Sequence, residues 1–206
     1  RARDVLRACT QEDATGLRFL DLQRMEVGPF TCLVQRVSYT GDLGYEIYCD
    51  AMEQRRLWDM LWQAGQPHGI TPFGMRAMMS LRLDRFFGSW GREYSPDYTC
   101  AETGLDRFLC FDAGRAYIGR EAAEAERATP PARRLAAFIV EAGNADVQGY
   151  EPVWIDGAVQ GFCTSGGYSH HAQCSVALAL VPRERAVKGL EAEIEILGTR
   201  RAARLG

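Results

Sequence analysis

Few residues in this chain combine type and spacing in a way that could do chemistry. His68, His170 and His171 are the three histidines. The last two are adjacent and would point in different directions on a strand, so they do not supply paired zinc-ligand spacing. Seven cysteines occur, and no two of them stand at C-x-x-C spacing. No metal site is expected. No Ser-His-Asp set can be assembled, and neither G-x-G-x-x-G after a strand nor G-x-x-x-x-G-K is present. The stretch Tyr39-Thr40-Gly41-Asp42-Leu43-Gly44-Tyr45-Glu46, followed by Tyr48, sets phenols and a carboxylate close together in the chain. A carboxylate at Glu46 offers two acceptors at the spacing of two parallel N–H donors. Tyr48 would share a strand face with it, because side chains alternate with period two. Tyr39 and Tyr48 each offer an aromatic face and a hydroxyl handle. The plain structural readings of the same residues are a solvent-facing strand Glu and half-buried tyrosines.

The elements that must position these groups follow from periodicity and turn chemistry. A helix is expected over residues 3–9, with Val5, Leu6 and Cys9 on one face. Phe30, Cys32 and Val34 alternate, and with Val37 and Tyr39 they predict a strand over 30–39. Two glycines in four positions at Gly41 and Gly44 make a turn. A second strand over 45–49 would complete a hairpin. Leu57, Trp58, Leu61 and Trp62 predict a helix with one broad apolar stripe, ended by Gly65. Thr71 as cap and Pro72 at the first helical position start the next helix. That helix runs through Met75, Met78, Met79 and Leu83 toward Phe86, its methionines read as core packing.

Residues 88–105 are irregular, with Trp90, Tyr94 and Tyr98 interleaved; a loop of that length is often functional. Residues 120–127 are helical, and Thr129-Pro130-Pro131 breaks the pattern. Five strands are expected after the break, over 135–141, 151–155, 158–165, 175–181 and 191–196. Asp156-Gly157 is a hairpin turn signal and Gly166-Gly167 a further break. Short strands at this spacing suggest a small barrel or sandwich. The expected organisation is α+β: one domain over 1–128, incomplete at its N-terminus, and a β-barrel over 132–206.

Composition narrows the partners. The chain is 47% hydrophobic and 25% charged, as soluble globular proteins are. Its formal net charge of -3 argues against nucleic acid, which needs a basic excess or patch. Arg133-Arg134 and Arg200-Arg201 are short enough to read as solvated surface. No apolar run reaches the length of a membrane span. The thiols read as free and largely buried, in a reducing compartment. The chain opens without Met in a helix-like stretch, and so reads as part of something longer.

The motifs go further than composition. The Tyr39–Glu46 stretch resembles the Y-T-G-E-x-G-x-E motif of the glycine-cleavage T-protein, or aminomethyltransferase, family. Leu81-Arg82-Leu83-Asp84 resembles that family's L-R-L-E stretch, and Ile118-Gly119-Arg120-Glu121-Ala122 its F-I-G-R-E-A stretch. Gly166-Gly167-Tyr168, with the apolar strand from Ala177 to Val181, resembles its C-terminal barrel. All four stand in the family's order and together span nearly the whole chain. Ser89-Trp90-Gly91-Arg92-Glu93-Tyr94 and Glu102-Thr103-Gly104-Leu105-Asp106 resemble the version at the C-terminus of FAD-dependent dimethylglycine and sarcosine dehydrogenases.

The resemblance implies a C-terminal part of an aminomethyltransferase-like folate-binding domain, followed by a small antiparallel β-barrel. It implies tetrahydrofolate as the bound cofactor and a one-carbon transfer that yields methylenetetrahydrofolate. It also implies a small N-methyl amine as substrate, and FAD in an upstream flavin domain of the same polypeptide, outside this chain. Glu46 falls on the family's pterin-binding glutamate, where a ring N–H beside an exocyclic amine meets the carboxylate. Tyr39, Tyr48 and Arg76 are the further candidate folate contacts. The family's catalytic aspartate would lie upstream of Arg1, so no catalytic residue is assigned here, and neither Asp42 nor Asp84 inherits that role. Arg107 stands where relatives often have an aromatic. A stand-alone aminomethyltransferase or a folate-dependent demethylase without flavin stays open. The compartment implied is the cytoplasm, or the mitochondrial matrix in a eukaryote.

Overall fold

The computed structural model describes residues 1–14, 16–112 and 114–206. The chain forms two compact units, Arg1–Met78 and Met79–Gly206.

The first unit is a three-stranded sheet with helices on one face. Helix α1 (Ala2–Cys9) precedes strands β1 (Leu22–Val27), β2 (Phe30–Gln35) and β3 (Glu46–Tyr48), which pair antiparallel in the order β1-β2-β3. Alternation decides which residues go inside. Met25 and Val27 of β1 and Phe30, Cys32 and Val34 of β2 are buried against Leu6, Cys9 and Leu57. The other face carries Leu22, Arg24, Leu33, Glu46 and Tyr48, all exposed. β1 is absent from the sequence expectation. It pairs from Leu22↔Gln35 to Val27↔Phe30 around Gly28-Pro29, where Gly28 takes a φ of +60°. β2 ends at Gln35, short of the expected Tyr39. The Val37 amide bonds to the Gln35 carbonyl at 3.1 Å, a tight turn that takes the chain out of the ladder.

Helix α2 (Gln54–Gly65) follows. Its apolar stripe is narrower than expected. Leu57 is buried, and Leu61 and Ala64 pack on the same core. Each residue turns the helix about 100°, so Trp58 and Trp62 fall off that stripe. They stack on each other instead, centroids 6.2 Å apart, and Trp58 is exposed. Gly65 is the last residue of the helix, as expected. A 3₁₀ turn, Gln66–His68, tightens the end, and Gly69 takes the left-handed conformation at φ +71°.

Helix α3 (Met75–Leu83) begins three residues later than Pro72 predicts. The Gly74 carbonyl accepts from the Met78 amide at 3.2 Å, while Thr71 Oγ1 donates back to the Gly69 carbonyl rather than capping. The methionines are not the core expected. Met75 is exposed and Met78 and Met79 are half-buried, whereas Arg82 and Leu83 are buried.

In the second unit, the stretch after α3 is mostly turns, as expected, but it contains α4 (Cys100–Thr103). Thr99 Oγ1 accepts from the Glu102 amide at 3.3 Å and Glu102 Oε2 from the Thr99 amide at 3.0 Å, a reciprocal capping box. Helix α5 (Arg120–Ala128) leads to a closed antiparallel barrel. Its strands are β4 (Arg133–Val140), β5 (Pro152–Ile155), β6 (Ala158–Ser169), β7 (Cys174–Pro182), β8 (Glu191–Ile196) and β9 (Thr199–Leu205). They run around it in the order β4-β7-β6-β5-β8-β9, and β9 closes on β4. Large residues (Phe138, Ile155, Ile194) and small ones (Ala177, Ala179, Ala203) fill the interior together.

Asp156-Gly157 makes the expected turn, with both residues at positive φ. Gly166-Gly167 is not a break: both continue β6. A Cβ on Gly166 would stand 2.5 Å from Val147 Cβ, so the position needs glycine for close approach.

All seven thiols are free. They are less buried than expected: Cys9, Cys32 and Cys163 are buried, while Cys49, Cys100, Cys110 and Cys174 are half-buried. Burial pushes the Cys163 thiol well above its usual range, so it stays protonated and inert.

Candidate functional site

Two of the candidate residues, Glu46 and Tyr48, share the open face of the first unit's sheet. β3 presents Glu46 and Tyr48 on one side and Ile47 on the other, toward the helices. β3 is one of the two edge strands, with Leu33 paired to Tyr48 and Gln35 to Glu46. The Tyr48 hydroxyl donates to Glu46 Oε2. That bond, first among the causes, raises the Tyr48 phenol above its ordinary value, since ionisation would set a phenolate against the carboxylate.

The turn before β3 sets its direction. Ser38 Oγ and Thr40 Oγ1 lie 3.0 Å apart, and the Gly41 amide bonds to the Ser38 carbonyl with Gly41 at φ +78°. Gly44 runs so close to Ser38 that an added Cβ would stand 3.0 Å from the serine Cβ.

Glu46 and Tyr48 are therefore brought together. Tyr39 lies half-buried in the turn. Arg76 is exposed in the first turn of α3 and makes no hydrogen bond or ion pair among the described residues. Chemically, the pair is a carboxylate with one oxygen already engaged. Each carboxylate oxygen has two lone-pair sites, so three acceptor positions remain for a ligand's donors.

A second polar cluster lies in the other unit. Arg82 and Glu93, both buried, form an ion pair at 3.3 Å. Glu93 also accepts from the Ser89 amide at 2.8 Å and from the Ser165 hydroxyl on β6. Arg82 Nη1 donates to the Phe87 carbonyl at 2.9 Å. Arg92 reaches the Gln148 and Thr164 carbonyls. The motif residues Arg82, Arg92 and Glu93 thus tie the 88–98 segment to the barrel wall. The motifs place these residues in the sequence but do not show that they touch, and no spacing signal marks the contact. Arg107, at the position where an aromatic is common, places its guanidinium 4.8 Å from the Phe108 ring centroid.

Residues 1–113 match the GCVT N-terminal domain and residues 133–206 the glycine cleavage T-protein C-terminal barrel domain. The chain belongs to the glycine cleavage T-protein family. Among its relatives, mitochondrial dimethylglycine dehydrogenase of Homo sapiens is 36% identical over 200 residues, covering 96% of this chain and 23% of that protein. An aminomethyltransferase of Desulfitobacterium hafniense is 31% identical over 205 residues, covering 99% of this chain and 55% of that one. The crystal structure of the glycine cleavage system aminomethyltransferase T from Bartonella henselae superposes with a TM-score of 0.86. It is 22% identical, with 100% of this chain and 55% of that chain covered, and establishes the shared fold. The chain thus spans about half the length of these aminomethyltransferases and about a quarter of the dehydrogenase.

Proposed function

We propose that this chain is the tetrahydrofolate-binding, one-carbon-transfer module of an FAD-dependent amine oxidoreductase of the dimethylglycine or sarcosine type. The observation that carries the folate reading is the Glu46 carboxylate, exposed on the open face of β3 and held by Tyr48 within the Tyr39–Glu46 motif. The fit is chemical. The pterin edge presents a ring N–H beside an exocyclic amine, and Glu46 keeps acceptor sites on both oxygens for them. When bound, tetrahydrofolate supplies the nitrogen that accepts a one-carbon unit. Glu46 fixes the pterin's orientation. Tyr39 borders the site, and Arg76 offers a cation for a folate carbonyl or carboxylate. No residue of this chain is assigned the proton-handling role. In this reading the folate-binding domain covers 1–128 and the barrel 132–206.

Two observations support the flavin-linked version. The similarity to dimethylglycine dehydrogenase exceeds that to the aminomethyltransferases, 36% against 30–32% identity. The Ser89–Tyr94 segment, which resembles the dehydrogenases', is also built into the barrel through Glu93 and Arg92. The stand-alone aminomethyltransferase is the second reading, supported by the match along 99% of this chain. An FAD-binding strand–turn–helix with G-x-G-x-x-G in the same polypeptide would separate the two.

The activity test uses the polypeptide that carries this chain, supplied with dimethylglycine or sarcosine. Oxidation of an N-methyl group gives an iminium, which water converts to formaldehyde unless the carbon is captured. Added tetrahydrofolate should lower formaldehyde release in the wild type and have far less effect in Glu46→Gln. No amine oxidation at all would reject the flavin-linked version. Formaldehyde release indifferent to tetrahydrofolate in the wild type would reject one-carbon capture.

A further inference from the structure

We propose that Tyr48 is a positioning residue that acts through Glu46, holding the carboxylate for the ligand's paired donors, rather than a platform on which a ring stacks. The proposal rests on the folate reading above, and it reassigns Tyr48 from ligand contact to support of a contact.

The argument begins with the strand. Glu46 and Tyr48 are two residues apart on β3 and leave it on the same face, so their side chains are neighbours along the strand. The Tyr48 hydroxyl is used: it donates to Glu46 Oε2. Tyr48 itself pairs across the ladder with Leu33, an exposed apolar residue on the same face.

Glu46 needs such support. It is exposed, and none of its described hydrogen bonds other than that from Tyr48 restrains it. A free glutamate side chain loses rotamer freedom when it is ordered on a ligand. A bond that orders it beforehand removes part of that loss. The geometry leaves the function intact, because one phenol occupies one of about four lone-pair sites. Bidentate recognition is sensitive to the plane of the carboxylate, and a donor on one oxygen fixes that plane. A stacking role would need only the ring, whereas a positioning role needs the hydroxyl.

That difference is measurable. Folinic acid is titrated calorimetrically into the wild-type polypeptide, Tyr48→Phe, Glu46→Gln and the double variant. Tyr48→Phe keeps the ring and the fold and removes the hydroxyl. It should weaken binding by about two- to tenfold, the worth of one hydrogen bond. In the Glu46→Gln background the same change should shift affinity by less than about twofold, since the group it acts through is altered. Unchanged affinity in Tyr48→Phe would overturn the proposal, as would an equal loss in both backgrounds. A second readout needs no ligand. The Tyr48 phenol, identified by ultraviolet difference titration against Tyr48→Phe, should ionise at lower pH in Glu46→Gln than in the wild type. An identical titration in both would also overturn the proposal. Failure of the wild type to bind folinic acid would reject the folate reading, and the Tyr48–Glu46 link would then stand or fall on the phenol titration.

Discussion

Arg82 Nη1 lies 3.3 Å from Glu93 Oε2, and neither side chain has measurable contact with solvent beyond 2%. Eleven residues separate the two in sequence, so the ion pair folds the chain after α3 back on the helix that precedes it. Glu93 then bonds to Ser165 on β6, which links that segment to the barrel. A buried pair repays its desolvation only with good geometry and further hydrogen bonds; here Arg82 Nε is buried without a partner among the described residues, and the compensation comes from the Ser89 amide and the Ser165 hydroxyl on Glu93.

Removing one partner should therefore cost more than removing both. Glu93→Ala leaves Arg82 charged, buried and unpaired, and should destabilise the protein by about 3–5 kcal/mol. Replacing both, as Arg82→Met with Glu93→Leu, should recover part of that loss. Urea denaturation of these two variants and the wild type checks the order. A Glu93→Ala protein as stable as the wild type would remove the pair from the account.

The same carboxylate predicts an acid dependence. Burial pushes the Glu93 carboxyl up, but the Ser165 and Thr164 hydroxyls, the Ser89 amide and the Arg82 guanidinium together hold it below its ordinary value of 4.5. A group whose folded value lies below its unfolded one binds fewer protons when folded. Its contribution is thus complete above the unfolded value and is lost as the pH falls through the folded value. Stability of the wild type should decline on acidification below about pH 4.5, and the decline should be shallower in Glu93→Gln. Parallel pH profiles of the two proteins would contradict the assignment.

The capping box of α4 makes a smaller, local prediction. Thr99→Ala removes the acceptor of the Glu102 amide bond. It should cost about 1 kcal/mol, read as a lowered Tm. Glu102 also pairs with Arg133 at the start of β4, at 2.9 Å. Glu102→Ala, which breaks the box and this pair together, should lower Tm further than Thr99→Ala does.

How much of this was legible in the sequence depends on what carried the signal. Five of the six barrel strands announce themselves by apolar runs such as Val176–Val181. β9 does not: Thr199-Arg200-Arg201-Ala202-Ala203-Arg204-Leu205 shows only Ala203 and Leu205 to the core, and a small alanine suffices inside a narrow barrel. Its arginines work outside, Arg200 lying 3.4 Å over the Trp154 ring. β1 is missed for a similar reason, since only Met25 and Val27 of its six residues are buried. Pro72 misleads because a favourable first-turn residue permits a helix start without requiring one. At the candidate site, period two puts Glu46 and Tyr48 on one face, and that much is local. The hydroxyl's use of the carboxylate, and the Arg82–Glu93–Ser165 chain, are tertiary contacts that no spacing rule encodes.

The central claim is that Glu46 recognises the pterin edge of a folate. Its most direct test is calorimetric titration of folinic acid into the polypeptide carrying this chain and into its Glu46→Gln variant. The amide sets a donor where two donors must be accepted, which should cost about 1–3 kcal/mol, or roughly five- to more than a hundredfold in affinity. Binding to the wild type that weakens by this factor in the variant is the predicted result. Equal affinities in the two proteins would contradict it and place the pterin elsewhere.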